Sequence, residues 1–156
     1  MSSEQIRDYL NTYDQLAQAL EDLTEEQLKW KAAPASWSVT EVLAHLADHS
    51  IVVSFRIRDI LAGTEVQLPA FHQDAWVSGQ HSNSGHAADS LELFRSLLHY
   101  NGLLFNRLSA GEWEKSGINF KGEVVSVTDI VRSFTAHVQT HLAQIERIKQ
   151  GAAVFH

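Results

Sequence analysis

The strongest constraint on the fold is the run Phe134-Thr135-Ala136-His137-Val138-Gln139-Thr140-His141-Leu142-Ala143-Gln144-Ile145. It lies in a segment whose apolar residues recur as Ile130, Phe134, Val138, Leu142, Ile145 and Ile148. Steps of three and four place these residues on one face of an α-helix. His137 and His141 fall on or beside that face, so both imidazoles point toward a core, where an unpartnered polar group is costly. Two histidines one turn apart can share a metal ion, as on the zinc helices of metalloproteases. In a chain with nine histidines the same spacing also arises by chance. The pair alone therefore leaves a ligand role and a structural role open.

Composition narrows the setting. A length of 156 residues suits a single domain, residues 1–156, with enough chain to bury a sizeable core. A hydrophobic content of 44% argues for a folded protein. The formal net charge is −7 and no Lys/Arg cluster is present, which argues against nucleic acid as a partner. There is no cysteine, and hence no disulfide, no thiolate ligand and no thiol nucleophile of the chain's own. The polar start Met-Ser-Ser-Glu-Gln-Ile-Arg has no signal-peptide core, and no apolar run approaches the roughly 20 residues that span a bilayer. The expected location is the cytoplasm, with no membrane partner.

Three further helices are legible. Ile6, Leu10, Tyr13, Leu16 or Ala17, and Leu20 form a stripe over about residues 3–22, and Thr24-Glu25-Glu26-Gln27 is a capping-box pattern that opens a short helical turn. A second helix opens at the capping box Ser38-Val39-Thr40-Glu41 and runs to Gly63, carrying His45 and His49, again four apart. Trp37, just before this start, is expected to pack on the first turn. A third helix spans about 88–108, with Asn101 on its apolar stripe, as a buried polar contact or a line to a pocket, and His99 off it. Residues 64–87, with Pro69, Gly79 and Gly85, read as a long loop, and such loops are often crossovers or functional. Within it, Phe71-His72-Gln73-Asp74-Ala75-Trp76 either lines a pocket mouth or plugs the loop onto the bundle, while His81 and His86 are expected to face solvent. A short hairpin is expected over 119–125. The final helix opens at Ser126-Val127-Thr128-Asp129 and is expected to end at Gly151.

Four amphipathic helices with little strand signal predict an all-α four-helix bundle, an architecture that builds metal sites from facing helices. At about 1.5 Å per residue, His45 lies roughly 10 Å from the start of its helix, and His141 and His137 roughly 14 and 20 Å from the end of theirs. Antiparallel packing of these two helices would bring the imidazoles to one level. The long loop then serves as a crossover between parallel second and third helices.

The segment Trp37-Ser38-Val39-Thr40-Glu41-Val42-Leu43-Ala44-His45-Leu46-Ala47-Asp48 resembles the motif that opens the second helix in the DinB-like superfamily, and His137-x-x-x-His141-x-x-Gln144-Ile145 resembles its closing motif. The resemblance covers nearly the whole chain. It implies an up-down-down-up bundle with a long crossover between helices 2 and 3, and a divalent-metal site made of His45, His137 and His141. His49, Trp76, Asn101 and Gln144 are then expected around the pocket, and Asp74 as a group that contacts or polarises substrate. Zinc or nickel is the expected ion, with iron or manganese as alternatives, since imidazole ligands discriminate weakly among them. Three histidines leave a coordination position open, as in catalytic sites. Relatives of this kind include S-transferases and isomerases that use bacillithiol or mycothiol, and members proposed as metal-dependent hydrolases. The expected partners are a small-molecule substrate and a low-molecular-weight thiol, and the expected assembly is a homodimer, to which Trp30, Trp76 and Trp113 beside the connections would contribute. A non-catalytic bundle, with a structural metal or a small bound ligand, is the other class left open.

Overall fold

The computed structural model describes residues 1–65 and 67–155, without the side chains of residues 154 and 155. Helix starts follow the cap chemistry closely. Helix α1 (Ser3–Leu20) is capped by Ser2 and Gln5, and α2 (Glu25–Lys29) by Thr24 and Gln27. Helix α3 (Val39–Leu61) is capped by Ser38 and Glu41, each bonding the other's backbone N–H. It stops where Gly63 adopts φ +81°, the left-handed turn that glycine takes without strain. At the start of α7 (Val127–Phe155), Asp129 accepts from the Ser126 amide at 2.9 Å while the Ser126 hydroxyl accepts from the Asp129 amide at 3.0 Å.

The long helices α1, α3, α5 (Ala87–Phe105) and α7 form a four-helix bundle in which α1 and α3 each pack against α5 and α7. Side-chain pairs fix the directions. Tyr9 meets Phe134, Gln15 meets Gln139 and Lys149 reaches the carbonyl of Ala19, so α1 and α7 are parallel. His45 meets His141 while His49 meets Phe134, so α3 and α7 are antiparallel. Phe105 packs on Tyr9 and Gly102 on Leu10, which sets α5 antiparallel to α1. The topology is up-down-down-up, as expected. The core is built from Tyr9, Leu16, Leu43, Leu46, Ile57, Phe94, Phe105, Phe134 and Ile145. Asn101 is fully buried in it and is satisfied from both sides: it donates to Tyr9 Oη and Ser54 Oγ, each at 2.9 Å, and accepts from Arg58 at 2.8 Å. Burial pushes the Tyr9 phenol up to about 12.

The structure differs from the sequence reading at three places. The crossover is not bare loop: it holds α4 (Gln73–Gly79) and a 3₁₀ turn (Ser82–Ser84). Helix α4 buries Val77, and the following turn is tied to α3 by Gln80 donating to Asp48 at 2.7 Å and Ser38 donating to Asn83 at 2.5 Å. Helix α7 runs through Gly151 to Phe155. That glycine is required by packing, because a Cβ there would lie 2.8 Å from Trp30 Cη2 at the end of α2. The hairpin pairs β1 (Ser116–Ile118) with β2 (Val124–Ser126), in the register Ser116↔Ser126 and Ile118↔Val124. The stretch expected to form the hairpin supplies its turn and second strand, with Asn119 Oδ1 accepting from the Lys121 and Glu123 amides. The short α6 (Ala110–Trp113) precedes it and packs Trp113 onto Phe105. No helix among the described residues is long and apolar enough to cross a membrane.

Candidate metal centre

The antiparallel packing of α3 on α7 brings His45, His137 and His141 together, with their candidate ligand atoms within 4.8 Å of one another. His137 Nε2 and His141 Nε2 are 3.0 Å apart. Two imidazole nitrogens on one tetrahedral zinc, each bonded at about 2.0–2.1 Å, stand roughly 3.3 Å apart, so the pair is within a few tenths of an ångström of a ligating geometry. The His45 ring is 4.6 Å from that of His141 and 5.8 Å from that of His137.

The polar balance fits a cation. His45 is fully buried, and neither of its ring nitrogens has a hydrogen-bond partner, a costly arrangement unless something is coordinated there. His141 Nδ1 lies 2.8 Å from Gln144 Oε1. An amide oxygen only accepts, so Nδ1 carries the proton and Nε2 keeps its lone pair for a metal. Burial, reinforced by the neighbouring imidazoles, pushes His45 down to about 3. Burial also lowers His137 and His141. The rings are thus held in the neutral form that ligates. The chemistry of the donor set matches a divalent ion.

His49 lies one turn along α3, its ring 5.7 Å from His45 and 5.0 Å from His137, and burial likewise pushes it down to about 3. Its Nδ1 is buried without a partner, but it is not part of the converging donor group. Phe71 of the crossover stacks on both His45 and His49, at 5.7 and 5.6 Å. Trp76 sets its edge against Phe71 and is itself 39% exposed. Beyond this cover, Asp74 and Gln73 share the wall of a cavity of about 560 Å³ with Trp37, His141, Gln144 and Arg147. The aromatic and polar stretch of the crossover therefore does both things considered for it: Phe71 plugs, and Asp74 lines a pocket.

Asn101 does not join this site, since its partners are Tyr9, Ser54 and Arg58 in the core. His81 and His99 are exposed, and the exposed His86 meets Glu25 at 3.1 Å. Sequence reasoning missed Trp37 as a site residue. Its ring lies 5.1 Å from His45 and 6.4 Å from His141, so it roofs the histidines as well as preceding the helix start. Its position two turns before His45 was the available signal. Arg147, six residues after His141 on α7 and on the wall of the same cavity, was also missed.

Comparison with known proteins bears on the family and the fold. A protein of Oceanobacillus iheyensis, named as a candidate metal-dependent hydrolase, is 24% identical over 143 residues, covering 92% of this chain and 80% of that protein. YfiT from Bacillus subtilis, described as a probable metal-dependent hydrolase with an unusual four-helix bundle topology, superposes with a TM-score of 0.87 at 21% identity, over 98% of this chain and 90% of its own. A mycothiol-dependent maleylpyruvate isomerase shares the fold with a TM-score of 0.73 at 11% identity, covering 91% of this chain and 59% of the isomerase. The sequence profile of the DinB superfamily matches residues 9–145, which include all three converging histidines. A match over that span makes this chain a member of the DinB superfamily.

Proposed function

We propose that this chain is a metal-dependent enzyme that uses an external thiol to attack a small electrophilic substrate. The observation that carries the reading is the pairing of a three-imidazole donor group, with no fourth protein donor among the described residues, and a cavity of about 560 Å³ bordered by His141. A divalent ion held by these three neutral imidazoles would supply Lewis-acid activation of a thiol or water. Zinc or nickel is the proposed ion, with iron or manganese next. His45, His137 and His141 hold it, and Gln144 fixes the tautomer of His141. Asp74, on the cavity wall, accepts a hydrogen bond from the substrate and orients it. The chain has no cysteine, so the thiol comes from outside, as a low-molecular-weight thiol of the bacillithiol or mycothiol kind. The proposed compartment is the cytoplasm, where such thiols are kept reduced. A cavity of this volume falls in the range of about 300–1,000 Å³ typical of small-molecule sites.

Hydrolysis, with water as the nucleophile, is the second reading, favoured by the name of the Oceanobacillus relative. An assay separates them: metal-loaded protein is given 1-chloro-2,4-dinitrobenzene with a panel of thiols, and p-nitrophenyl acetate without any. Thiol-dependent consumption that is lost on chelation and in His45→Ala is the expected result. Ester cleavage with no thiol requirement would replace the thiol with water. Turnover indifferent to chelation, or no turnover by a protein whose folding collapses on chelation, would overturn the metal-enzyme reading.

We also propose a homodimer, though not through Trp30 or Trp113. Trp113 is buried and Trp30 packs at Gly151, so both fold back over the bundle. Trp76 stays exposed, and other exposed apolar side chains include Ile51 and Phe55, one turn apart on α3, and Tyr100 on α5, whose ring lies under Arg58. Light scattering across a dilution series checks this, with a constant mass of 17.5 kDa rejecting the dimer.

A further inference from the structure

A second cavity, of about 220 Å³, lies on the hairpin side of the histidines. It is walled by His49 and Arg56 of α3, Leu68 of the crossover, Val125 of β2, and Ile130 and Phe134 of α7. It shares no lining residue with the larger cavity. The crossover borders this cavity at Leu68 and the larger one at Gln73 and Asp74. Phe71, between those positions, stacks on His45 and His49.

Two polar atoms of its wall residues lack partners. Arg56 is anchored by one terminal nitrogen, which donates to the Pro69 carbonyl at 2.8 Å, yet its Nε is buried with no hydrogen bond. Among the described residues no carboxylate pairs with this guanidinium. Asp129 reaches the rim of the cavity, but its carboxylate is committed to the Ser126 amide at 2.9 Å, capping α7. His49 Nδ1 is the second unpartnered buried atom. The rest of the wall is largely apolar, with Leu68 and Phe134 buried. A partly desolvated cation that lacks an anion, facing a small apolar cavity, is electrostatically incomplete.

We propose that this cavity binds a small monocarboxylate with an apolar body, its carboxylate on the Arg56 guanidinium and its body among Leu68, Val125, Ile130 and Phe134. The guanidinium fork matches a carboxylate better than it matches a neutral acceptor. The volume lies below the roughly 300 Å³ at which drug-sized pockets begin, which restricts the ligand to a single ring or a short branched chain. His49, whose ring touches those of His45 and His137, separates this site from the metal ligands. The inference stands on this cavity and is independent of the reaction proposed for the metal centre.

Benzoate is the probe, with benzamide as its neutral counterpart. Binding is followed by NMR shift perturbation on the full chain, both metal-loaded and chelated, so that carboxylate ligation of the metal is separated from binding here. We expect saturable benzoate binding in both forms, shifts centred on Leu68, Val125 and Ile130, and benzamide about tenfold weaker or worse. Arg56→Met should remove the preference for benzoate, and Arg56→Lys, which keeps the charge, should retain part of it. Absence of saturable binding, binding only when metal is present, equal affinity for the two probes, or a folded Arg56→Met that still prefers benzoate would each overturn the proposal. If Arg56→Met does not fold, the wild-type comparison of the two probes and the lysine variant decide it.

Discussion

At His141 one hydrogen bond sets the chemistry of the ring. Gln144 Oε1 accepts a hydrogen bond from Nδ1–H at 2.8 Å, and Nε2 is left facing His137 Nε2 at 3.0 Å. Supporting contacts of this kind typically contribute about 10–100-fold in metal affinity. Gln144→Ala should therefore weaken metal binding by about that factor while leaving the bundle folded, as read by competition with a chelator of known affinity. Unchanged affinity would mean that the tautomer of His141 is set by something else. The three converging histidines were legible because helical spacing and two separated motifs pointed to the same residues. Spacing alone did not separate His45 from His49, since each is compatible with the α3 face turned to α7. The resemblance to the DinB-like motif implied His45 rather than His49, and the donor atoms that converge in three dimensions are those of His45, His137 and His141. Trp37 and Phe71 were not legible as cover for the site, because their ring contacts depend on the path of the crossover, which no local pattern encodes. Asn101 was legible as a buried polar residue on an apolar stripe, but its partners Tyr9 and Ser54 lie on other helices.

Among the elements, α7 shows where local signals mislead. A glycine near the end of a helical run reads as a terminator, but Gly151 sits inside the helix because the ring of Trp30 occupies the space of a side chain. Gly151→Ala would gain roughly 0.5–1 kcal/mol of helix propensity and lose about 1–3 kcal/mol to overpacking. The net expectation is a loss of about 1 kcal/mol in denaturant unfolding, with a change in tryptophan fluorescence as the ring moves. A more stable variant would show that Trp30 yields freely. Helix α4 was missed for the opposite reason. Its segment is short and flanked by proline and glycines, and it is held in place by Val77 packing and by Gln80 on Asp48 after its end. These are tertiary contacts, not propensities. The long helices were legible because their caps and their apolar period agree with the bundle that buries them.

For the molecule as a whole, four imidazoles are packed in one interior region with their protonation suppressed. Burial pushes His45 and His49 to about 3 and lowers His137 and His141, whereas histidines of an unfolded chain titrate near pH ~6.5. Between those limits the unfolded state binds more protons than the folded one, so stability falls as pH drops. The metal-free protein should therefore melt at progressively lower temperature as pH is taken from about 6.5 toward about 3. A melting temperature flat across that window would contradict burial of the rings in neutral form. In the loaded protein, protons also compete with the ion for the same nitrogens. The most direct test of the account is metal analysis of protein purified without a histidine tag. One divalent ion per chain is predicted for the wild type. His45→Ala, His137→Ala and His141→Ala should each lose most of it, and His81→Ala and His99→Ala should keep it. Full metal occupancy in His45→Ala would contradict a site shared between α3 and α7.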